Sequence, residues 1–263
     1  MLVVGDFEHR AVVITGGGGG LGGATAGLLA KRGYPVVLTG RTPETLQATA
    51  AIVAQAGGQA VTVTGDASDE DHMSAVFVAA AEHFGGCEAV LHGAATHGTP
   101  KRLDETSVEE WDAVIRTNMR STFLCTREAL RAMVPEGRGS IVLVASAGIL
   151  RGFPLAAPYA ATKSALVGYA RTLAAEVGPQ GVRVNVLTPG ANPDTAIFHS
   201  AMPGIAREMG FSEDEMVPLL EGMSALRRAC TAEELARAAV FLLTDDASAM
   251  TGQNLVADAG LTT

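Results

Sequence analysis

Cysteine is scarce in this chain. Three occur in 263 residues, Cys87, Cys125 and Cys230, far apart and without a C-x-x-C pair. They build no disulfide framework and no zinc knuckle, and the usage points to a reducing, cytoplasmic setting. Positive charge is in deficit: 19 Lys and Arg face 28 Asp and Glu, for a net charge of −9. A phosphate backbone demands a basic surface, so nucleic acid is excluded as a partner. Metal-ligand spacing is missing as well. His92 and His97 suit neither one face of a helix nor one face of a strand, so no metal is expected. No apolar run reaches the ~18 residues of a spanning helix. No membrane partner is expected, although mean hydropathy is +0.24. The opening "MLVVGDFEHR" carries Asp6 and Glu8 and lacks the basic start and small-residue cleavage site of a secretory leader.

What is present is an alternation of short β-rich runs with longer Ala- and Leu-rich runs. The strand candidates are 11–15, 35–39, 60–64, 89–92, 140–145, 182–187 and 254–258. Most are apolar almost throughout, as parallel strands covered on both faces are. The helix candidates are 21–32, 43–56, 69–84, 107–134, 158–177 and 231–244. Repeated strand–helix units imply right-handed crossovers. The expected fold is α/β: a Rossmann-like, doubly wound, seven-stranded parallel sheet with helices on both faces. No linker or internal repeat interrupts it, so 1–263 reads as a single domain.

Seven of the twelve residues in "TGGGGGLGGATA" (15–26) are glycine. A strand candidate precedes the run and a helix candidate follows it. That is the setting of a loop that cradles phosphates, with backbone amides at a helix N-terminus pointing at the anion. Its register is ambiguous. G-x-G-x-x-G fits at 17/19/22 and at 18/20/23, and T-G-x-x-x-G-x-G fits at 15/16/20/22. The loop alone does not choose.

Further on, Tyr159 and Lys163 stand four apart on a helix candidate, within reach of each other. Ser146 follows the buried run "SIVLVA", at the end of a strand where α/β folds bind ligands. A free phenol has a pKa near ~10. A neighbouring ammonium favours the phenolate, so the trio reads as a proton-transfer site.

These motifs together resemble the short-chain dehydrogenase/reductase family. They are Thr15-Gly16-x-x-x-Gly20-x-Gly22, Ser146, Tyr159-x-x-x-Lys163 and Pro189-Gly190, and the likeness runs nearly end to end. Asp66 matches the aspartate that holds the adenine, Asn118 the active-site asparagine, and Asn185 the asparagine before the Pro-Gly turn. The resemblance selects the register of Gly16, Gly20 and Gly22, and leaves Gly17, Gly18 and Gly19 as surplus. It implies that Tyr159 moves the proton, Ser146 holds the substrate oxygen, Lys163 lowers the tyrosine pKa and holds the nicotinamide ribose, and Asn118 holds a relay water. It implies cofactor contacts at Thr15, Gly16, Gly20, Leu21, Gly22, Asp66, Ala67, Gly93, Ala94, Pro189 and Gly190. It also implies a homo-oligomer, a tetramer more often than a dimer. Two departures stand out: "HGAA" (92–95) replaces Asn-Asn-Ala-Gly, and "DAG" (258–260) replaces Asp-Gly-Gly. His92 is expected to be a hydrogen-bonded structural residue.

The second strand candidate runs into "TGRTPE", with Gly40 at the position where an acid would bind the ribose 2′-hydroxyl of NAD. Arg41 and Thr42 can instead receive a 2′-phosphate, so NADP(H) is expected over NAD(H). Residues 191–226 are rich in Met, Phe and Leu and are expected to cover the active site, which suggests an apolar ketone or alcohol. Phe153, Phe198 and His97 are candidate substrate contacts, although a solvated role for His97 is the simpler expectation. A 3-oxoacyl group on an acidic carrier would suit Arg116, Arg120, Arg127 and Arg131 on the 107–134 helix; the net charge and Ala175 count against it. The rival to an oxidoreductase is a non-catalytic NADP(H)-binding sensor or scaffold on the same fold.

Overall fold

A computed structural model describes residues 9–263. The segment with Asp6 and Glu8, and the reading against a leader, lie outside the described residues. The strands are β1 (Ala11–Thr15), β2 (Val36–Gly40), β3 (Ala60–Thr64), β4 (Cys87–His92), β5 (Gly139–Val144), β6 (Val182–Pro189) and β7 (Asn254–Ala257). They form one parallel sheet in the order β3-β2-β1-β4-β5-β6-β7. The chain starts in the middle, builds to one edge, then returns to the far side of β1. Thr15 and His92 are paired at that reversal, where the crevice of a doubly wound sheet opens.

The helices are α1 (Gly20–Lys31), α2 (Pro43–Gln55), α3 (Glu70–Phe84), α4 (Val108–Ile115), α5 (Ser121–Met133), the short α6 (Gly148–Arg151), α7 (Ala157–Val177), α8 (Ala196–Met209), α9 (Glu213–Met223) and α10 (Ala232–Leu243). Alternate residues of one strand feed opposite layers. Val13 packs with Met73, Leu124 and Leu166 on one face, and Val12 and Ile14 with Leu29, Leu46 and Val240 on the other. Each such burial contributes about 1.5–3 kcal/mol. Cys87 and Cys125 lie in the first layer, and burial raises both thiols, Cys87 to about 12. They are packing residues.

The sequence predicts one helix over 107–134. The structure divides it into α4, a π-helical turn at Arg116–Arg120, and α5. Asn118 lies inside that turn. The hydroxyls of Ser121 and Thr122 donate to the backbone oxygens of Thr117 and Asn118, occupying carbonyls that the wider turn leaves short of partners. The expected cover at 191–226 is a helical hairpin, α8 and α9, with a small core of Ala201, Ile205, Ala206 and Met216. No described helix is long and apolar enough to cross a membrane.

Candidate active site

The C-terminal ends of β1, β4, β5 and β6 border one cavity of about 500 Å³. Gly16 makes the turn out of β1 at φ +70°, and its Cα faces the Gly93–Ala94 backbone so closely that a Cβ would stand 3.2 Å from Ala94 N. A Cβ on Gly22 would stand 2.5 Å from the Gly16 oxygen, and one on Gly20 3.3 Å from the Asp194 oxygen. These are the cradle glycines that the family register selects. Gly18 is not surplus. A Cβ there would overlap the Thr45 hydroxyl, and one on Gly17 would stand 3.1 Å from the Ile14 oxygen. Thr45 of α2 fills the space a side chain at 18 would need, a contact invisible in a homopolymer run.

Helix α1 opens on Gly19, with no side-chain cap and no acid in its first turn. The helices α4, α9 and α10 begin on capping boxes, at Ser107, Ser212 and Thr231. The leading amides of α1 are thus left for an anion. Asp66, Ala67, Arg41, Thr42 and Leu21 line the same cavity. Hydrogen bonds from the Ser68 amide and hydroxyl hold Asp66 below the usual carboxylate range, with Arg41 and His72 adding to the effect.

Thr15 serves the cradle indirectly. Its hydroxyl oxygen accepts the N–H groups of Gly93 and Ala94, both at 3.1 Å, so its proton goes to His92 Nδ1 at 2.9 Å. His92 Nε2 then donates to Ser121 Oγ at 3.2 Å. One tautomer satisfies the whole chain. Burial, with the Lys163 ammonium adding, pushes the His92 pKa down to about 3. His92 is the structural residue expected, holding the β4 loop against β1.

Ser146, Tyr159 and Lys163 line the cavity together. Ser146 follows β5 and hydrogen-bonds the Tyr159 phenol. Lys163 is buried, its Nζ donating to Val144 O at 2.6 Å and lying 5.7 Å from the Tyr159 ring centre. Burial pushes Tyr159 up to about 12, opposed by the Ser146 bond, and pushes Lys163 down to about 8. The expectation that Lys163 lowers the phenol is therefore not met in this geometry: desolvation dominates both groups, and the ammonium is anchored on a carbonyl.

Asn118 is tied into the protein by its side chain. It is buried and does not line the cavity. Its Oδ1 accepts Thr96 N–H at 2.8 Å, and its Nδ2 donates to Thr96 O and to Thr162 Oγ1, both at 3.0 Å. Both amide protons are spent on protein, so the side chain ties the β4 loop to α7 and is a positioning residue. Phe153, Phe198 and His97 do reach the cavity, as do Gly93, Ala94, Pro189 and Gly190. His97 is half-buried, and its ring stacks on Tyr159 with centroids 4.9 Å apart. Of the apolar lid residues, Met202, Met209, Leu219 and Met223 line the cavity, whereas Phe211 and Val217 do not.

Two residues were missed from the sequence. Thr45 is one. The other is Asn192, which lines the cavity just beyond Pro189-Gly190. Its Oδ1 accepts the Asp194 amide at 3.0 Å, while its buried Nδ2 has no hydrogen-bond partner among the described residues. A polar residue in the turn beside a ligand-binding strand end was the available signal. The glycine cradle, the uncapped α1 and this orphaned donor fit a bound dinucleotide.

A family model described as "Enoyl-(Acyl carrier protein) reductase" matches residues 17–262. The 3beta-hydroxysteroid dehydrogenase of Mediterraneibacter gnavus is 31% identical over 99% of this chain and 98% of its own. The 2,5-dichloro-2,5-cyclohexadiene-1,4-diol dehydrogenase of Sphingobium indicum is 35% identical over 98% of each. Among solved structures, an actinorhodin polyketide ketoreductase with NADPH superposes with a TM-score of 0.92 at 28% identity, over 97% of this chain and 98% of that one. An NAD+-bound xylitol dehydrogenase does so with a TM-score of 0.91 at 26% identity, over 97% and 100%. The chain belongs to the short-chain dehydrogenase/reductase family. It is an oxidoreductase of CH–OH and C=O groups that uses a nicotinamide cofactor.

Proposed function

We propose that the protein is an NADP(H)-dependent reductase of an apolar cyclic ketone, with the reverse alcohol oxidation available to it. The observation that carries this reading is the meeting of Ser146, Tyr159 and Lys163 with the nucleotide cradle in one cavity whose other wall is Met- and Phe-rich. The cyclic, largely apolar substrates named for the hydroxysteroid and cyclohexadienediol relatives support it.

The cofactor, when bound, supplies or accepts the hydride. Ser146 hydrogen-bonds the carbonyl oxygen and so stabilises the negative charge that develops there. Tyr159, held protonated by burial, gives that oxygen its proton. Lys163, fixed on Val144 O, places positive charge behind the phenol as the proton leaves. Asn118 keeps the β4 loop and α7 in register. The α8–α9 hairpin excludes water. Arg41 and Thr42, with no acid at Gly40, favour a 2′-phosphate, which supports NADP(H) over NAD(H).

A carrier-bound 3-oxoacyl substrate is less well supported, because Arg127 and Arg131 are paired with Glu70 and Glu128. Half-exposed Phe123 on α5 suits a helix-to-helix contact between copies, in line with a homotetramer in the cytoplasm. The test is a ketone panel scored by NADPH consumption, with Tyr159→Phe beside the wild type. A variant as active as the wild type would favour the sensor reading.

A further inference from the structure

His97 is held unusually well for a loop histidine. The peptide before it is gripped on both sides by Asn118, at Thr96 N and Thr96 O. The residue after it, Gly98, sits at φ +75°, and a Cβ there would stand 2.6 Å from Val114 Cγ2. A side chain at that turn would run into Val114, so the loop lies close against α4. The imidazole then lies on the Tyr159 ring, 4.9 Å between centroids and 29° between planes. Tyr159 is tethered to the same clamp: Thr162, which receives Asn118 Nδ2, donates to Tyr159 O at 2.7 Å.

The two ring nitrogens are not equivalent. Nδ1 lies 3.4 Å from Gly98 O. A carbonyl only accepts, so this contact favours the tautomer with the proton on Nδ1 and the lone pair on Nε2. Desolvation lowers the His97 pKa, which keeps the ring neutral and the lone pair available. Nε2 has no hydrogen-bond partner among the described residues, and His97 lines the cavity. Phe153, Phe198 and Met202, which line the same cavity, offer no donor from their side chains. A lone acceptor on an apolar wall beside the reacting phenol discriminates among ligands, because a substrate without a donor leaves it desolvated and unpaired.

We propose that His97 is a specificity-determining residue whose Nε2 accepts a hydrogen bond from a substrate hydroxyl. The preferred substrate is then an apolar ring ketone, or the matching alcohol, with a second hydroxyl close to the reacting carbon. This rests on the reading of Ser146, Tyr159 and Lys163 as the reaction site and narrows its substrate class.

Matched ketones test it: 2-hydroxycyclohexanone against 2-methylcyclohexanone, and 2-hydroxy-1-tetralone against 2-methyl-1-tetralone, each with NADPH. The wild type should favour the hydroxylated member in kcat/KM by about 10–100-fold. In His97→Phe, which keeps a flat ring on Tyr159 but has no acceptor, kcat/KM for the hydroxylated ketones should fall much further than for the methyl ketones, so that ratio should collapse. His97→Gln, which restores an acceptor oxygen, should recover part of the ratio. NADPH affinity, read by fluorescence quenching, should be equal in all three proteins. A wild type without preference, a ratio that survives in His97→Phe, or an equal loss on both members would overturn the proposal. Methyl-ketone reduction that disappears in Tyr159→Phe shows that the site reading stands even then. A wild type that reduces no member of either pair would overturn both.

Discussion

The Thr15 hydroxyl donates to His92 Nδ1 at 2.9 Å, and that bond exists only while the imidazole is neutral. His92 is driven down to about 3 from an ordinary 6.5. Above 6.5 neither the folded nor the unfolded chain protonates it. Between 6.5 and about 3 the unfolded chain takes a proton that the folded chain refuses, so stability falls as pH falls. The slope is about 1.4 kcal/mol per pH unit from this group. His92→Asn, the family's residue, should flatten that dependence in urea unfolding at mildly acidic pH. An unchanged slope would remove His92 from the explanation.

Gly18→Ala should destabilise by about 1–3 kcal/mol, because its Cβ enters the Thr45 side chain. Gly19→Ala should cost less, since its Cβ meets only the Gly16 oxygen, at 3.2 Å. Thermal melts of the two variants, and of Gly18→Ala with Thr45→Gly, check this. The double variant should recover part of the loss.

Ala259 holds φ +55° in the segment where the family carries glycine. A left-handed residue with a Cβ costs about 1–2 kcal/mol, partly offset by the greater freedom glycine has when unfolded. Ala259→Gly should therefore raise stability by up to about 1 kcal/mol with activity unchanged. A lower melting temperature would show that the strain is relieved elsewhere.

Arg41→Ala should weaken NADPH binding by about 10–100-fold, the loss of one charged contact to a phosphate. NADH affinity should barely move. Titration calorimetry with both nucleotides decides it, and equal losses would contradict the 2′-phosphate assignment.

The parts of this protein that were legible in the sequence are those set by local chemistry. Both-face burial writes strands such as Val12-Val13-Ile14 as unbroken apolar runs, and the Tyr159–Lys163 spacing is a property of one helix. What escaped depends on partners far along the chain. The π-turn carries Asn118, whose side-chain amide bonds Thr96 and Thr162, 22 and 44 residues away. Gly18 is needed because Thr45 comes to rest on it. His97 meets Tyr159 because Asn118 and Gly98 hold its loop there. The phenol's pKa, expected to fall beside a lysine, rises because both groups are desolvated together, which no spacing reveals.

Oxidation and reduction should differ in pH dependence. In the proposed mechanism reduction needs the Tyr159 proton, which burial retains, and oxidation needs it gone. The oxidative rate should climb through the alkaline range while the reductive rate does not. Parallel profiles in the two directions would argue against Tyr159 as the proton donor.

The most direct test is the reduction rate of a cyclic ketone by NADPH in wild type and Tyr159→Phe, with NADPH affinity measured on both. The predicted result is a fall of at least about 100-fold in kcat with unchanged affinity. Full activity without the Tyr159 hydroxyl would contradict the proposed proton transfer.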